Sequence, residues 1–147
     1  MSIKTSLKRT YRNPEEIFKK INLVLSDYLV EIYDYNNIAK QKGFYLKPVH
    51  IVVKKKGDKK IKYYYYGRYW YKIEYRKGKG SKIKWIYMGK SKPDPTLPDP
   101  PKNPLEGLVV RLSEDSITIS APSEEIYRLV FGDQASAQSR EGESQAQ

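Results

Sequence analysis

The chain has 147 residues, with 28 Lys and Arg against 17 Asp and Glu, one histidine and no cysteine. That length suits one domain with a small appendage, and the lack of cysteine excludes disulfides and thiolate metal centres and fits a reducing cytoplasm. No apolar run approaches the roughly 18 residues of a membrane span, and the opening MSIKTSLKRTYRNPEE lacks the apolar stretch of a secretory signal, so a soluble protein with no membrane partner is expected.

The net charge of +11 is unevenly placed. Residues 1–92 carry 24 basic and 7 acidic side chains, residues 93–147 carry 4 and 10, and residues 47–90 alone carry 15 against Asp58 and Glu74. Such a density repels itself unless something anionic lies near.

Residues 1–12 are short, polar and basic, and read as a mobile arm. Asn13-Pro14-Glu15-Glu16 then offers a capping side chain, proline at the first helical position and a glutamate at the third. Ile17, Ile21, Val24, Leu25, Tyr28, Ile32 and Tyr35 follow at spacings of three and four, which predicts an amphipathic helix over about 14–35 that ends near Asn36-Asn37 or Lys42-Gly43.

From Pro48 the period drops to two, the signature of strands. Val49, Ile51 and Val53 alternate up to the turn Lys56-Gly57-Asp58-Lys59, and a second run spans Ile61–Tyr66. Gly67-Arg68 is taken to reverse the chain into Tyr69–Arg76, and Lys77-Gly78-Lys79-Gly80 to reverse it again into Ser81–Met88. The expected fold class is therefore α+β, an amino-terminal amphipathic helix packed on a four-stranded antiparallel β-meander within a domain at 13–92. A proline-rich linker at 93–104 has six prolines in twelve positions and should be extended. Alternation at Leu108, Val110, Leu112, Ile117 and Ile119, then a helical pattern with Ile126, Leu129 and Val130 on its apolar side, predict a ββα carboxy-terminal appendage at 105–132. Residues 133–147 form a disordered acidic tail in this reading. So small an appendage needs to dock on the first domain or on another subunit.

Nucleic acid asks for cations to meet phosphate and for flat or donor groups to meet bases. Tyr63 to Lys72 combines both, and rings at consecutive strand positions point alternately to the helix and to solvent. The expected nucleic-acid-binding set is Lys54, Lys55, Lys59, Lys60, Lys62, Tyr64, Tyr66, Arg68, Trp70, Lys72, Arg76, Lys77, Lys79, Lys82 and Lys84. The competing structural reading, in which tyrosines suit strands and lysines keep a sheet soluble, explains each residue singly but not why basic and aromatic residues concentrate together.

The stretch GRYWYKIEYRKGKGSKIKWIYMGKSK, residues 67–92, resembles the small three-stranded sheets at the amino termini of tyrosine recombinases and some transposases. The shared features are aromatic and basic strands, a Gly/Lys turn and a closing aromatic-x-Gly-Lys, here Tyr87-Met88-Gly89-Lys90. The resemblance implies DNA in contact with Arg68, Lys72, Arg76, Lys82 and Lys84. It covers 26 residues; a proline strap follows where those domains carry a helix, and a recombinase catalytic domain is missing. In composition the chain also resembles small proteins encoded by viruses and plasmids of thermophilic archaea, which would put it inside a virion or host cell.

His50 is the only histidine, so a histidine metal cluster or a Ser/Cys–His pair cannot be assembled, and Glu15, Glu16, Asp27, Glu31 and Asp34 read as caps and solvated face. No catalytic residue, metal site or cofactor is expected. The expected function is non-enzymatic binding of nucleic acid, DNA ahead of RNA, with an oligomer through the carboxy-terminal unit as a separate expectation. The alternative is a protein-interaction or virion structural protein, or an inhibitor of a host complex, whose basic sheet meets an acidic protein partner.

Overall fold

The computed structural model describes residues 7–75, 82–114 and 116–132. It is an α+β fold with two helices and a six-stranded antiparallel sheet. In chain order the elements are β1 (Leu7–Tyr11), α1 (Pro14–Ala39), a short 3-10 turn, β2 (Phe44–Lys56), β3 (Lys59–Tyr75), β4 (Ile83–Gly89), β5 (Val109–Leu112), β6 (Ile117–Ala121) and α2 (Glu124–Phe131).

α1 begins where its sequence directs, with the Asn13 side chain accepting from the Glu16 amide and Pro14 in the first turn. It ends at Ala39, between the two marks at Asn36-Asn37 and Lys42-Gly43, and Gly43 closes the turn that follows at a φ of 85°. Ile17, Ile21, Leu25, Tyr28, Ile32 and Tyr35 are buried against the sheet.

Gly67 does not reverse the chain. β3 passes through it as one 17-residue strand, about 56 Å at 3.3 Å per residue, so two expected strands are one. A glycine in a strand can mark a turn or a place where another group comes close to the backbone. Here it is the second: a Cβ at position 67 would lie 3.4 Å from Cε2 of Tyr69, whose ring lies against the bare backbone.

β2 pairs along one edge of β3, while β5 and β4 share the other, β5 at Lys62–Tyr65 and β4 at Trp70–Tyr75. β6 pairs with β5, and β1 with β6. The carboxy-terminal ββ pair is thus part of the main sheet, and residues 7–11 of the expected mobile arm are its outermost strand. In α2, capped by Ser123, Tyr127 and Val130 are buried and Leu129 is exposed, which corrects the expected apolar side.

The proline-rich segment between β4 and β5 is a packed strap. Leu97 and Leu105 are buried in the core, Tyr35 donates to the Pro98 carbonyl at 2.6 Å and Lys92 to the Leu97 carbonyl at 2.9 Å. Buried Asn103 donates to the carbonyls of Pro48 and Gly67, where the β2–β3 register slips between Lys47 and Val49.

A second buried asparagine guards the outer edge of β2. Asn36 donates to the Leu46 carbonyl and accepts from its amide, both at 2.8 Å, occupying backbone groups that would otherwise invite another strand. Asn36→Ala leaves both groups buried and unpaired, at about 1–3 kcal/mol each. A loss of about 2–4 kcal/mol in urea unfolding is expected, against less than about 0.5 kcal/mol for the exposed neighbour in Asn37→Ala; equal effects would contradict this role.

Candidate nucleic-acid interface

The sheet has two unlike faces. The covered face meets α1, and its rings are those the helix reaches: Tyr64 edge-on to Phe18 at 4.9 Å and Trp70 edge-on to Tyr35 at 5.8 Å. α1 is about 39 Å long at 1.5 Å per residue, shorter than β3, so the strand outruns it at both ends. There the covered-face positions become lysine, at 60, 62 and 72. The β2–β3 hairpin thus ends as a free ribbon around Gly57, which takes a φ of 62° at the first turn position. At the other end β3 and β4 continue past Phe44, the start of β2, as a second ribbon.

The open face carries the alternate residues. Tyr45, Lys47, His50 and Lys54 of β2 lie beside Tyr63, Tyr65, Tyr69 and Tyr71 of β3 and Trp85 and Tyr87 of β4. The rings pack on one another: His50 stacks on Tyr69 at 5.3 Å and on Tyr87 at 4.7 Å, and its Nδ1 is 2.9 Å from the Tyr71 hydroxyl. Cations lie over them, Lys47 at 4.6 Å from Tyr71 and 5.0 Å from Trp85, Lys54 at 5.1 Å from Tyr63 and Lys90 at 5.8 Å from Tyr69. Arg111 of β5 donates to the Tyr63 hydroxyl, which lowers that tyrosine's pKa. Among the described strand residues this face has no carboxylate.

Three expected contact residues belong to the other face. Tyr64, Tyr66 and Trp70 point to α1, and at 6% and 1% exposure Tyr66 and Trp70 cannot stack on a base. The reason is parity along an unbroken strand: the helix takes the even-numbered rings and leaves the odd-numbered ones outside. Arg68 is also on the covered side, where Glu106 holds it through two contacts at 2.9 and 3.3 Å. It lines a cavity of about 390 Å³ between the end of β4 and the start of β5, with Lys90 and Tyr69, and an anion entering there meets Glu106 as well.

The lysines fare differently. Lys54 and Lys59 lie on the open side of the first ribbon; Lys55, Lys60 and Lys62 lie on its other side, exposed because α1 does not extend over them. Lys72 and Lys84 are exposed on the covered side of the second ribbon, and Lys82 is exposed just before β4. Arg76, Lys77 and Lys79 lie outside the described residues, as does the expected acidic tail.

The open-face residues absent from the expected set include Tyr45, Lys47, Tyr63, Tyr65, Tyr71, Trp85, Tyr87, Lys90 and Arg111. The available signal was that even positions of residues 60–72, apart from Arg68, change from lysine to ring and back, as a face covered only at its middle requires, whereas odd positions 63, 65, 69 and 71 stay tyrosine. Among the described residues no group of three or more His, Asp or Glu is placed to hold a metal ion, and no helix is long and apolar enough to cross a membrane. Comparison with protein-family models, with curated proteins and with solved structures finds no match.

Burial raises several tyrosine pKa values. Tyr69 is pushed up to about 12 by burial and then by Tyr87, and Tyr11, Tyr28 and Tyr66 are raised by burial first. A folded-state pKa above the ordinary 10 means that this stabilisation is complete below pH 10 and is lost as pH rises toward 12. Loss of far-ultraviolet circular dichroism should therefore coincide with a cooperative rise in tyrosinate absorbance between pH 10 and 12, Tyr63 ionising ahead of it. Independent titration of all 14 tyrosines near pH 10 would contradict the buried clusters.

Proposed function

We propose that this chain binds nucleic acid, DNA ahead of RNA, without catalysing a reaction, through the open face of the sheet and the two lysine-rich ribbons. The observation that carries the reading is the segregation of charge across the sheet. The open face combines rings with Lys47, Lys54, Lys90 and Arg111, while the described carboxylates lie on α1, α2, the strap and the turns, apart from Glu74 on the covered side of β3. The ion pairs Lys20–Glu16, Arg68–Glu106, Lys92–Asp99 and Arg128–Glu124 lie off that face. A surface of one sign with interleaved rings suits a polyanion that also offers flat groups. A two-stranded ribbon also fits the major groove of B-DNA. The likeness of residues 67–92 to recombinase amino-terminal sheets supports DNA, with Lys72, Lys82 and Lys84 at the second ribbon.

A second reading replaces nucleic acid by an acidic protein surface. It is favoured by the exposure of Ile83, Trp85, Tyr87 and Met88 on β4, residue types that protein interfaces also use. Electrophoretic mobility shifts with generic duplex and single strands across salt separate the two. Retardation at low salt with a steep fall of affinity on added salt is expected, and replacing Lys54, Lys55, Lys59 and Lys60 together by alanine should flatten the duplex salt slope by about 0.9 for each phosphate that is no longer neutralised. Absence of retardation at low salt would leave the protein partner as the better reading.

A further inference from the structure

Resting on the reading above, we infer that the open face takes single-stranded nucleic acid, with unstacked bases lying on Trp85, Tyr87 and Tyr75 and the backbone phosphates near Lys47 and Lys90. The first argument is exposure. Many rings of this face pack on one another, His50 face to face with Tyr69 and with one side of Tyr87, and Tyr69 keeps only 4% of its surface, but Tyr75 keeps 68% and Trp85 and Tyr87 44% each. They follow one another across the ribbon: Tyr75 pairs with Ile83, Trp85 with Ile73 diagonally beside it, and Tyr87 with Tyr71 one step further along the same face. Water-exposed rings at one place on a basic sheet suit a ligand that brings flat groups together with negative charge.

The second argument is spacing. Trp85 and Tyr87 are two strand positions apart, about 6.6 Å, roughly twice the 3.4 Å rise between stacked bases of a duplex strand. Rings at that pitch cannot match a stacked duplex, whose base faces are already hidden. They can accept bases splayed from a single strand, the form in which base faces are offered to aromatic side chains. Duplex readout would instead need planar or forked donors and acceptors at the groove edges, and this part of the face offers rings, Ile73 and Ile83. The third argument is charge: Lys47 lies over the Trp85 ring at 5.0 Å and Lys90 over Tyr69, next to Tyr87, at 5.8 Å, so two cations on flexible stems are within reach of a backbone whose bases lie on Trp85 and Tyr87.

Trp70 is 1% exposed, which leaves Trp85 as the solvent-accessible one of the two tryptophans and makes it a reporter. The full chain is titrated at low salt with an oligothymidylate, with a duplex of equal length and mixed sequence, and with polyglutamate, following tryptophan emission and, separately, anisotropy of the labelled polymer. The oligothymidylate is expected to quench Trp85 and to bind at least about tenfold more tightly than the duplex. Trp85→Ala should weaken single-strand binding about tenfold with the salt slope unchanged, whereas Trp85→Phe should retain most of the affinity. Tyr75→Ala, at the most exposed of the three rings, should weaken it in the same sense and serves if Trp85→Ala fails to fold. Duplex binding as tight as single-strand binding, or single-strand binding without quenching and insensitive to both alanine variants, overturns the inference and leaves nucleic-acid binding standing. Binding of polyglutamate alone, or of none of the three, overturns both.

Discussion

One strand that does not break organises this molecule. Because β3 continues through Gly67, it is longer than any partner on its second edge, and that edge must be divided between β4 and β5. The chain joins these two collinear strands by the strap at 90–108, which leaves the sheet, fills the core with Leu97 and Leu105 and returns to the same edge. Asn103 makes the arrangement specific: its amide satisfies the carbonyls of Pro48 and Gly67 at the irregular step in the β2–β3 ladder, while its carbonyl accepts from Leu105. Buried backbone groups left open by an irregular strand have to be met from somewhere, and a side chain from the strap meets them.

The same strand also separates the two kinds of surface. A helix can shield only as much of a sheet as its own length, so on β3 the middle of the covered face carries Tyr64, Tyr66 and Trp70 with the Glu106-paired Arg68 among them, and charged side chains, mostly lysine, take over toward its ends. On the opposite side neither α1 nor α2 lies over the rings, and they cover one another around His50 and Tyr69, with cations over their faces. A polar rim of lysine around an aromatic centre follows from the geometry of one helix on one long ribbon.

Much of this is readable from the residues, and the failures have physical causes. Asn13-Pro14 and the apolar stripe after it locate α1, and Gly57-Asp58 locates the hairpin, because caps and tight turns depend on neighbours in sequence. Gly67 misleads because a strand glycine signals equally a reversal or a close approach, and only Tyr69 lying over it decides. Read as a reversal, Gly67 splits the rings of 63–66 and 69–72 between two strands and hides the common parity by which an unbroken strand turns Tyr64, Tyr66 and Trp70 to the helix. The strands at 109–112 and 117–121 are recognisable by alternation, but their place between β3 and β1 rests on pairings across more than forty residues, which no local pattern records. β1 escapes for the same reason: Leu7 and Tyr11 with three polar or basic residues between them are too short a pattern, and acquire strand character from β6 beside them.

That outermost pairing also sets an order of assembly. Leu7 stands opposite Ala121 and Tyr11 opposite Ile117, so the strand at 7–11 waits for the strand at 117–121, about a hundred residues further along the chain. Closing so long a loop carries an entropic cost that local contacts do not offset. The β2–β3–β4 meander, built from neighbours in sequence, can form while the chain is still growing. β1 can join only after β6 has been made, so this edge of the sheet is completed late in the folding of residues 7–132.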